Sequence, residues 1–381
     1  AAEHEHYFVL TLHHIVTEGW AMDIFARELG LLYEAFLEGR PSPLEPLAVQ
    51  YLDYSVWQRQ WMEAGERQRQ LDYWTTQLGR EHPLLELPAD RPRPPVQSHR
   101  GELFRFDLSD ELAARVRAFN AERGLTLFMT MTAALAVLLY RYSGQTDLRI
   151  GAPVANRIRP ESEGLIGAFL NTQVLRCQLD GQMSVAELFE QVRQTVIEGQ
   201  SHQDLPFDYL IEQLGVVRQV SYNPLFQVMF NYFPGNALER FDLTDVIAEP
   251  LDNRPDSALC DLHLDVRDSE HGITLSLQYS SDLFREQTVQ AMAEQYLALL
   301  DALIEQSGQP LGELAWQPAE RALARIDGRA VDAHQDILQA FALQVARQPA
   351  AIAVVAGNEQ LTYAELDQAA ERLAARLQAQ G

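Results

Sequence analysis

Residues 12–19 read Leu12-His13-His14-Ile15-Val16-Thr17-Glu18-Gly19. An apolar run over residues 7–12 precedes the histidines and reads as a strand, and a helical repeat follows them. The pair therefore falls where a strand hands over to a helix, a junction that can expose one imidazole while rigid backbone surrounds it. Successive strand residues point to opposite faces. One histidine is thus expected to look into a cavity, and the other to pack or hydrogen-bond and hold the turn. Histidine is the side chain best suited to take or guide a proton near neutral pH. The bland alternative is a structural or surface pair. His4 and His6 raise metal binding, but the His-Glu-x-x-His spacing of a helical zinc site is absent. The two cysteines, Cys177 and Cys260, are distant from the histidines and from each other, so no metal site is expected.

From residue 20 to residue 38, Phe25, Leu29, Leu32 and Phe36 mark one helix face, and Gly39 and Pro41 end it. Thr17 is a candidate cap, and an acid at position 18 suits the positive end of the helix dipole without any catalytic role. Two further helical segments, 51–64 and 67–78, carry Tyr54, Trp57, Trp61, Tyr73 and Trp74, which read first as core packing. Prolines 83, 88, 92, 94 and 95 mark a stiff internal break over residues 83–95. Beyond it, strands are expected near 103–108, 148–153, 170–177, 226–232, 259–267 and 273–279. Between them fall helices opened by Ser109 and by the Ser184/Glu187 capping box, an apolar helix over 126–142, and a last helix over 286–304 with Val289, Met292, Tyr296 and Leu299 on one face. The apolar helix is too short to span a bilayer and reads as core. Strands and helices mixed without a regular βαβ repeat indicate an α/β sandwich, and there is no Gly-rich phosphate loop.

Composition narrows the partners. The chain has 381 residues, 47% of them hydrophobic, which is ample for two or three compact units. Its formal charge of −24 disfavours nucleic acid and anionic membranes as partners. Two widely spaced cysteines read as reduced thiols of a cytoplasmic protein, and no secretory segment is visible at the start.

The stretch from His13 to Gly19 resembles the HHxxxDG signature of condensation domains of nonribosomal peptide synthetases. Four further stretches resemble that family's motifs in order: Tyr51-Leu52-Asp53-Tyr54-Ser55-Val56-Trp57, Ile166-Gly167-Ala168-Phe169-Leu170-Asn171-Thr172, His202-Gln203-Asp204-Leu205-Pro206-Phe207-Asp208, and Ser221-Tyr222-Asn223-Pro224-Leu225-Phe226. The resemblance covers roughly residues 1–315. It implies an α/β fold of two chloramphenicol acetyltransferase-like lobes with the active site between them. The expected division is 1–82 for a truncated N-terminal lobe, 83–100 for the crossover, 101–307 for the C-terminal lobe and 308–330 for a linker. Residues 331–381, with Leu361-Thr362-Tyr363-Ala364-Glu365-Leu366, resemble the start of an adenylation domain. Two earlier family motifs are absent, so the chain reads as part of a longer synthetase.

The implied reaction is peptide-bond formation between two thioesters carried on 4'-phosphopantetheine arms of upstream and downstream carrier proteins, with no cofactor bound directly. By resemblance His14 sits at the reacting centre, as general base or as a positioning and electrostatic group, and His13 supports the turn. Gly19 permits close backbone approach, and its N–H can help polarise the carbonyl. Glu18 stands where the family has Asp and is expected to pair with Arg157 as structural support. Asn171 and Gln203 are candidates to face the substrate channel. An epimerising or ester-forming relative, and a non-catalytic gatekeeping or docking domain, stay open as alternatives.

Overall fold

The computed structural model describes residues 5–235, 243–249, 256–314, 337–356 and 359–379. The chain divides into two compact units, residues 1–317 and 318–381.

The first unit is built on a six-stranded mixed sheet. Its strands are β1 (Gly101–Asp107), β2 (Asp147–Val154), β3 (Asn171–Gln178), β4 (Val228–Pro234), β5 (Leu262–Ser269) and β6 (Gly272–Ser280), in the order β1-β6-β5-β4-β2-β3. β4 runs parallel to β2 and β5, and the other pairings are antiparallel. Its helices are α1 (Gly19–Leu37), α2 (Tyr51–Trp61), α3 (Arg67–Leu78), α4 (Asp110–Arg123), α5 (Leu127–Ser143), α6 (Pro160–Glu163), α7 (Val185–Gln200), α8 (Phe207–Gln213) and α9 (Glu286–Glu305).

Alternation along the strands gives the sheet two unlike faces. One carries Ile150, Leu175, Val228, Phe230, Leu264, Val266 and Leu275 into a continuous core with α4, α5, α7 and α9. α5 is buried on all sides, as its apolar sequence requires. The expected stripe of α9, Val289, Met292, Tyr296 and Leu299, is fully buried. The caps act as their chemistry dictates: Ser109 Oγ accepts the Leu112 N–H, Ser184 and Glu187 form a reciprocal box, and Gly124 closes α4 at φ 65°. At the β2–β3 end, α3 and α8 cover the opposite face through Trp74, Leu78, Leu210 and Ile211. The Phe226 ring lies so close over Gly151 that a Cβ there would come within 2.4 Å of it.

The proline-rich stretch forms no helix or strand, but it is tied down. Arg93 grips the Asp261 carboxylate with two guanidinium nitrogens, and Asp90 accepts the Arg285 N–H and the Thr288 hydroxyl at the start of α9.

Two expectations need correction. Residues 7–12 are not a strand: no described strand runs beside them, and Tyr7, Phe8 and Val9 are 60–77% exposed. A short apolar run suits a strand, but a strand also needs a partner ladder. In α1 the helix forms, yet its buried residues are Ala21, Ile24, Ala26 and Ala35. The expected Phe36 is exposed, because no described element covers that end of its face. The sequence pattern does not announce α8, whose seven residues are too few to show a repeat.

The second unit holds α10 (Ile337–Arg347), the hairpin strands β7 (Ile352–Ala356) and β8 (Glu359–Thr362), and α11 (Tyr363–Ala379). Thr362 and Glu365 cap α11 reciprocally, as their spacing predicts. Residues 315–330 of the expected linker, and His4, lie outside the described residues. Among the described residues no single helix is long and apolar enough to cross a membrane.

Asp265, on the face opposite the main core, is opposite Asn231 and Ser276. Burial holds its carboxyl above the usual aspartate range, opposed by His263, whose Nε2 lies 3.3 Å away, and by Arg267. A carboxyl with a raised folded pKa contributes stability below its unfolded pKa and loses that contribution as pH rises through the folded value. At neutral pH, above the unfolded value, this buried carboxyl therefore opposes folding. Asp265→Asn is expected to raise the urea midpoint at pH 7, with the gain vanishing near pH 4, about where an unfolded aspartate protonates.

Candidate active site

The histidine turn is closed by its own atoms. The Val16 N–H donates to the His13 carbonyl at 3.1 Å, and the Ile15 N–H donates to His13 Nδ1 at 3.1 Å. An Nδ1 that accepts places the proton of a neutral ring on Nε2. His13 thus holds the turn. The adjacent His14 is exposed and makes no side-chain hydrogen bond among the described residues, so it meets open space there and not an enclosed cavity.

Helix α1 starts directly after the turn. Thr17 does not cap it; its hydroxyl lies 3.5 Å from Met22 Sδ. Glu18 occupies the N-cap position with extended backbone, yet its side chain makes no cap bond. The carboxylate turns away from the helix to Arg157, which follows β2. Oε1 lies 2.9 Å from Nε and 2.8 Å from Nη2, and Oε2 accepts the Leu170 N–H at 2.6 Å. Both side chains are 2% exposed. Gly19 is the first residue of α1; nothing lies within 4 Å of where its Cβ would be, and the first N–H groups of a helix have no intrahelical partner.

Removing two charges from water costs several kcal/mol per ion, so such a pair survives only with good geometry and with its remaining donors satisfied. Arg157 meets that condition. Beyond Glu18 it donates to the carbonyls of Ser162 and Leu165, with the Gly167 carbonyl at 3.5 Å. The guanidinium also lies 4.2 Å from the centroid of the Phe169 ring, a cation–π contact in a dry setting. One arginine thereby gathers α1, α6 and the loop before β3.

A second joint lies at the motif His202-Gln203-Asp204. Asn171 donates both amide hydrogens, to the Gln203 and Leu205 carbonyls at 2.7 Å, and accepts the Phe207 N–H. Its side chain is thus engaged within the loop, and Gln203 contributes through its carbonyl. Gln70 Oε1 accepts the Asp204 and Leu205 N–H groups, while Trp74 Nε1 donates to the His202 carbonyl. The His202 ring stacks on Tyr73 with centroids 3.9 Å apart, and its Nε2 lies 2.8 Å from an Arg69 nitrogen.

The structure thus brings Glu18 and Arg157 together beside the histidine turn. It places Asn171 and Gln203 together at the other joint. Composition and spacing do not single out Tyr51, Phe169, the Leu170 N–H or Gln70. The first three lie in quoted motifs, but their partners are too far off in sequence to be inferred.

Among the described residues no Ser or Cys side chain is hydrogen-bonded to a histidine of the turn. Burial pushes the Cys177 and Cys260 thiols up to about 12, so neither offers thiolate near neutral pH. Among the described residues no group of three or more His, Cys, Asp or Glu is placed to hold a metal ion.

The Condensation domain family model matches residues 1–322. The chain belongs to the condensation domain family. It is 41% identical over its whole length to a linear gramicidin synthase polypeptide of Brevibacillus parabrevis, but covers 8% of that protein. It is 37% identical to the phosphinothricin tripeptide synthetase PhsC of Streptomyces viridochromogenes over 98% of this chain and 35% of that one. Among solved structures, the X-domain from teicoplanin biosynthesis superposes with a TM-score of 0.70 at 27% identity, covering 80% of this chain and 70% of that one. A four-domain nonribosomal peptide synthetase bound to AMP and glycine shares the fold over 97% of this chain and 29% of that one, at a TM-score of 0.72 and 21% identity.

Glu18→Gln leaves Arg157 buried without its counter-charge and is expected to cost about 3–5 kcal/mol in denaturant unfolding. Glu18→Asp, one methylene shorter, is expected to keep Arg157 and release Leu170, costing about 1.5–3 kcal/mol for a hydrogen bond to a charged acceptor. Equal stability of wild type and Glu18→Asp would show that the longer side chain is not used.

Proposed function

We propose that this condensation domain joins an upstream aminoacyl or peptidyl thioester to the amine of a downstream aminoacyl thioester. Both would be carried on phosphopantetheine arms of carrier domains that reach the His14 region. The observation that carries this reading is an unengaged imidazole, His14, on a turn whose flanks are fixed by His13 and by the buried Glu18–Arg157 pair.

The chemistry asks little of covalent catalysis. The amine nitrogen attacks the thioester carbonyl, the tetrahedral intermediate sheds the pantetheine thiolate, and the nitrogen loses one proton. The thioester is already activated. Alignment of amine and carbonyl, a route for one proton and a donor toward the oxyanion are what a site must add. His14 supplies the proton acceptor or a hydrogen bond to the intermediate, and the Gly19 N–H at the start of α1 is a donor for the oxyanion. The inert thiols accord with direct aminolysis.

The proposed organisation keeps residues 1–82 as part of an N-terminal lobe, 83–100 as a crossover, 101–307 as the C-terminal lobe and 308–330 as a linker. Residues 331–381 would open an adenylation domain, its first elements being α10, the β7–β8 hairpin and the capped α11. An adenylation domain directly downstream suits amide formation better than epimerisation. The charge of −24 suits a partner that is neither nucleic acid nor anionic membrane, in the cytoplasm.

The test is a single-turnover assay on the full-length protein that carries this chain. Donor and acceptor carriers are loaded in advance, and the acceptor is followed by intact-protein mass spectrometry. The wild type is expected to form amide, and His14→Ala to slow it about 10²–10⁴-fold. Undiminished turnover in His14→Ala would remove His14 from the mechanism. Absence of amide with loaded carriers would favour a gatekeeping domain.

A further inference from the structure

We infer that Tyr51 is a positioning residue that clamps the loop answering Glu18, and so fixes α1 beside His14; this rests on the amide-forming reading above. Tyr51 is the first residue of α2, whose opening turn is set by Asp53 Oδ2 accepting the Gln50 N–H at 2.8 Å. From that fixed start the side chain reaches 117 residues along the sequence, where its hydroxyl donates to the Ala168 carbonyl at 2.7 Å. Its ring covers Gly167 so closely that a Cβ there would come within 2.3 Å of Cδ2. The same ring meets Phe169 edge-on, with centroids 5.0 Å apart and planes at 87°.

Four successive residues are therefore held by two side chains. Tyr51 takes Gly167, Ala168 and Phe169, and Glu18 takes the Leu170 N–H. Phe169 is also the ring beneath the Arg157 guanidinium. If the loop drifts, the Leu170 N–H leaves Glu18 Oε2 and Phe169 leaves Arg157, so the buried pair loses partners on both sides. Core packing explains an aromatic ring at this position. It does not explain a hydroxyl on a backbone carbonyl, or a glycine where the ring forbids a Cβ. Burial, and after it the Glu18 charge, push the Tyr51 phenol above its ordinary value, so the hydroxyl stays a donor throughout the neutral range.

The experiment uses the full-length protein in the carrier-loaded assay, together with residue-resolved hydrogen exchange of Leu170. Tyr51→Phe removes the hydroxyl alone. It is expected to slow amide formation about 5- to 10-fold in kcat, the equivalent of one hydrogen bond, with KM for the loaded acceptor unchanged and faster exchange at Leu170. Gly167→Ala is expected to produce the same two changes by forcing the ring away. Adding Tyr51→Ala to Gly167→Ala should then do no further harm than Tyr51→Ala alone, because the clash is gone. Unchanged Leu170 exchange in Tyr51→Phe, or simple additivity of Gly167→Ala with Tyr51→Ala, overturns the clamp. Faster Leu170 exchange with undiminished kcat overturns its positioning role. If the wild type forms no amide, the functional reading fails, while the exchange measurement still decides whether Tyr51 holds the loop.

Discussion

The buried pair of Glu18 and Arg157 is the constraint on which the site depends. An ion pair away from water is a poor source of net stability, but it punishes misalignment severely, because either charge alone is costly to bury. Here the penalty is directed. Glu18 stands at the start of α1, Arg157 follows β2, and the carbonyls that satisfy Arg157 belong to α6 and the loop before β3. These elements must meet in one arrangement or leave charges unanswered. The His13–His14 turn is covalently joined to this point, so the geometry of the pair passes directly to His14. Polar specificity of this kind complements the apolar core behind the sheet, which tolerates small shifts that hydrogen-bonded charges do not.

The joint at Gln70, Asn171 and Asp204 has a related logic carried by neutral amides. Side-chain amides take the place of a backbone ladder, each satisfying two or three main-chain groups of residues 203–207. Irregular backbone can be buried only when its N–H and C=O groups find partners. Asn and Gln are suited to this because one side chain both donates and accepts. Burial raises the Asp204 carboxyl, and the hydrogen bond from the Gln70 amide opposes the rise.

Much of this is readable from local sequence, and the reason is physical. Caps at Ser109, Ser184 and Thr362 act over three or four residues, so their residue types suffice to place them. The stripe of α9 and the uniform apolarity of α5 declare what they bury. What local pattern cannot supply is the identity of distant partners. Residues 7–12 form an apolar run like that of a strand, but pairing is a property of two segments. The stripe of α1 marks a helix correctly but does not say which of its residues another segment covers, for the same reason. Of the site, the family motif points to Glu18 and Arg157. The roles of Tyr51, Phe169 and Leu170 emerge only when segments more than a hundred residues apart are brought together.

Glu at position 18, where the motif that this stretch resembles has Asp, has the length to use both of its oxygens. A carboxylate one methylene further from the helix start can meet two partners at once, one oxygen on the guanidinium and the other on a backbone N–H. The second contact is charge-assisted and short, the stronger class of hydrogen bond. Its value depends on the loop being at the right height, and that height is set from the far side by the Tyr51 ring and hydroxyl. The length of Glu18 and the fixed position of residues 167–170 are thus two halves of one fit. A shorter acid facing the same loop would leave the Leu170 N–H without its carboxylate acceptor, and an unclamped loop would leave the longer acid with surplus reach. In this chain acid length and loop height agree, since one carboxylate meets both the guanidinium and the backbone N–H.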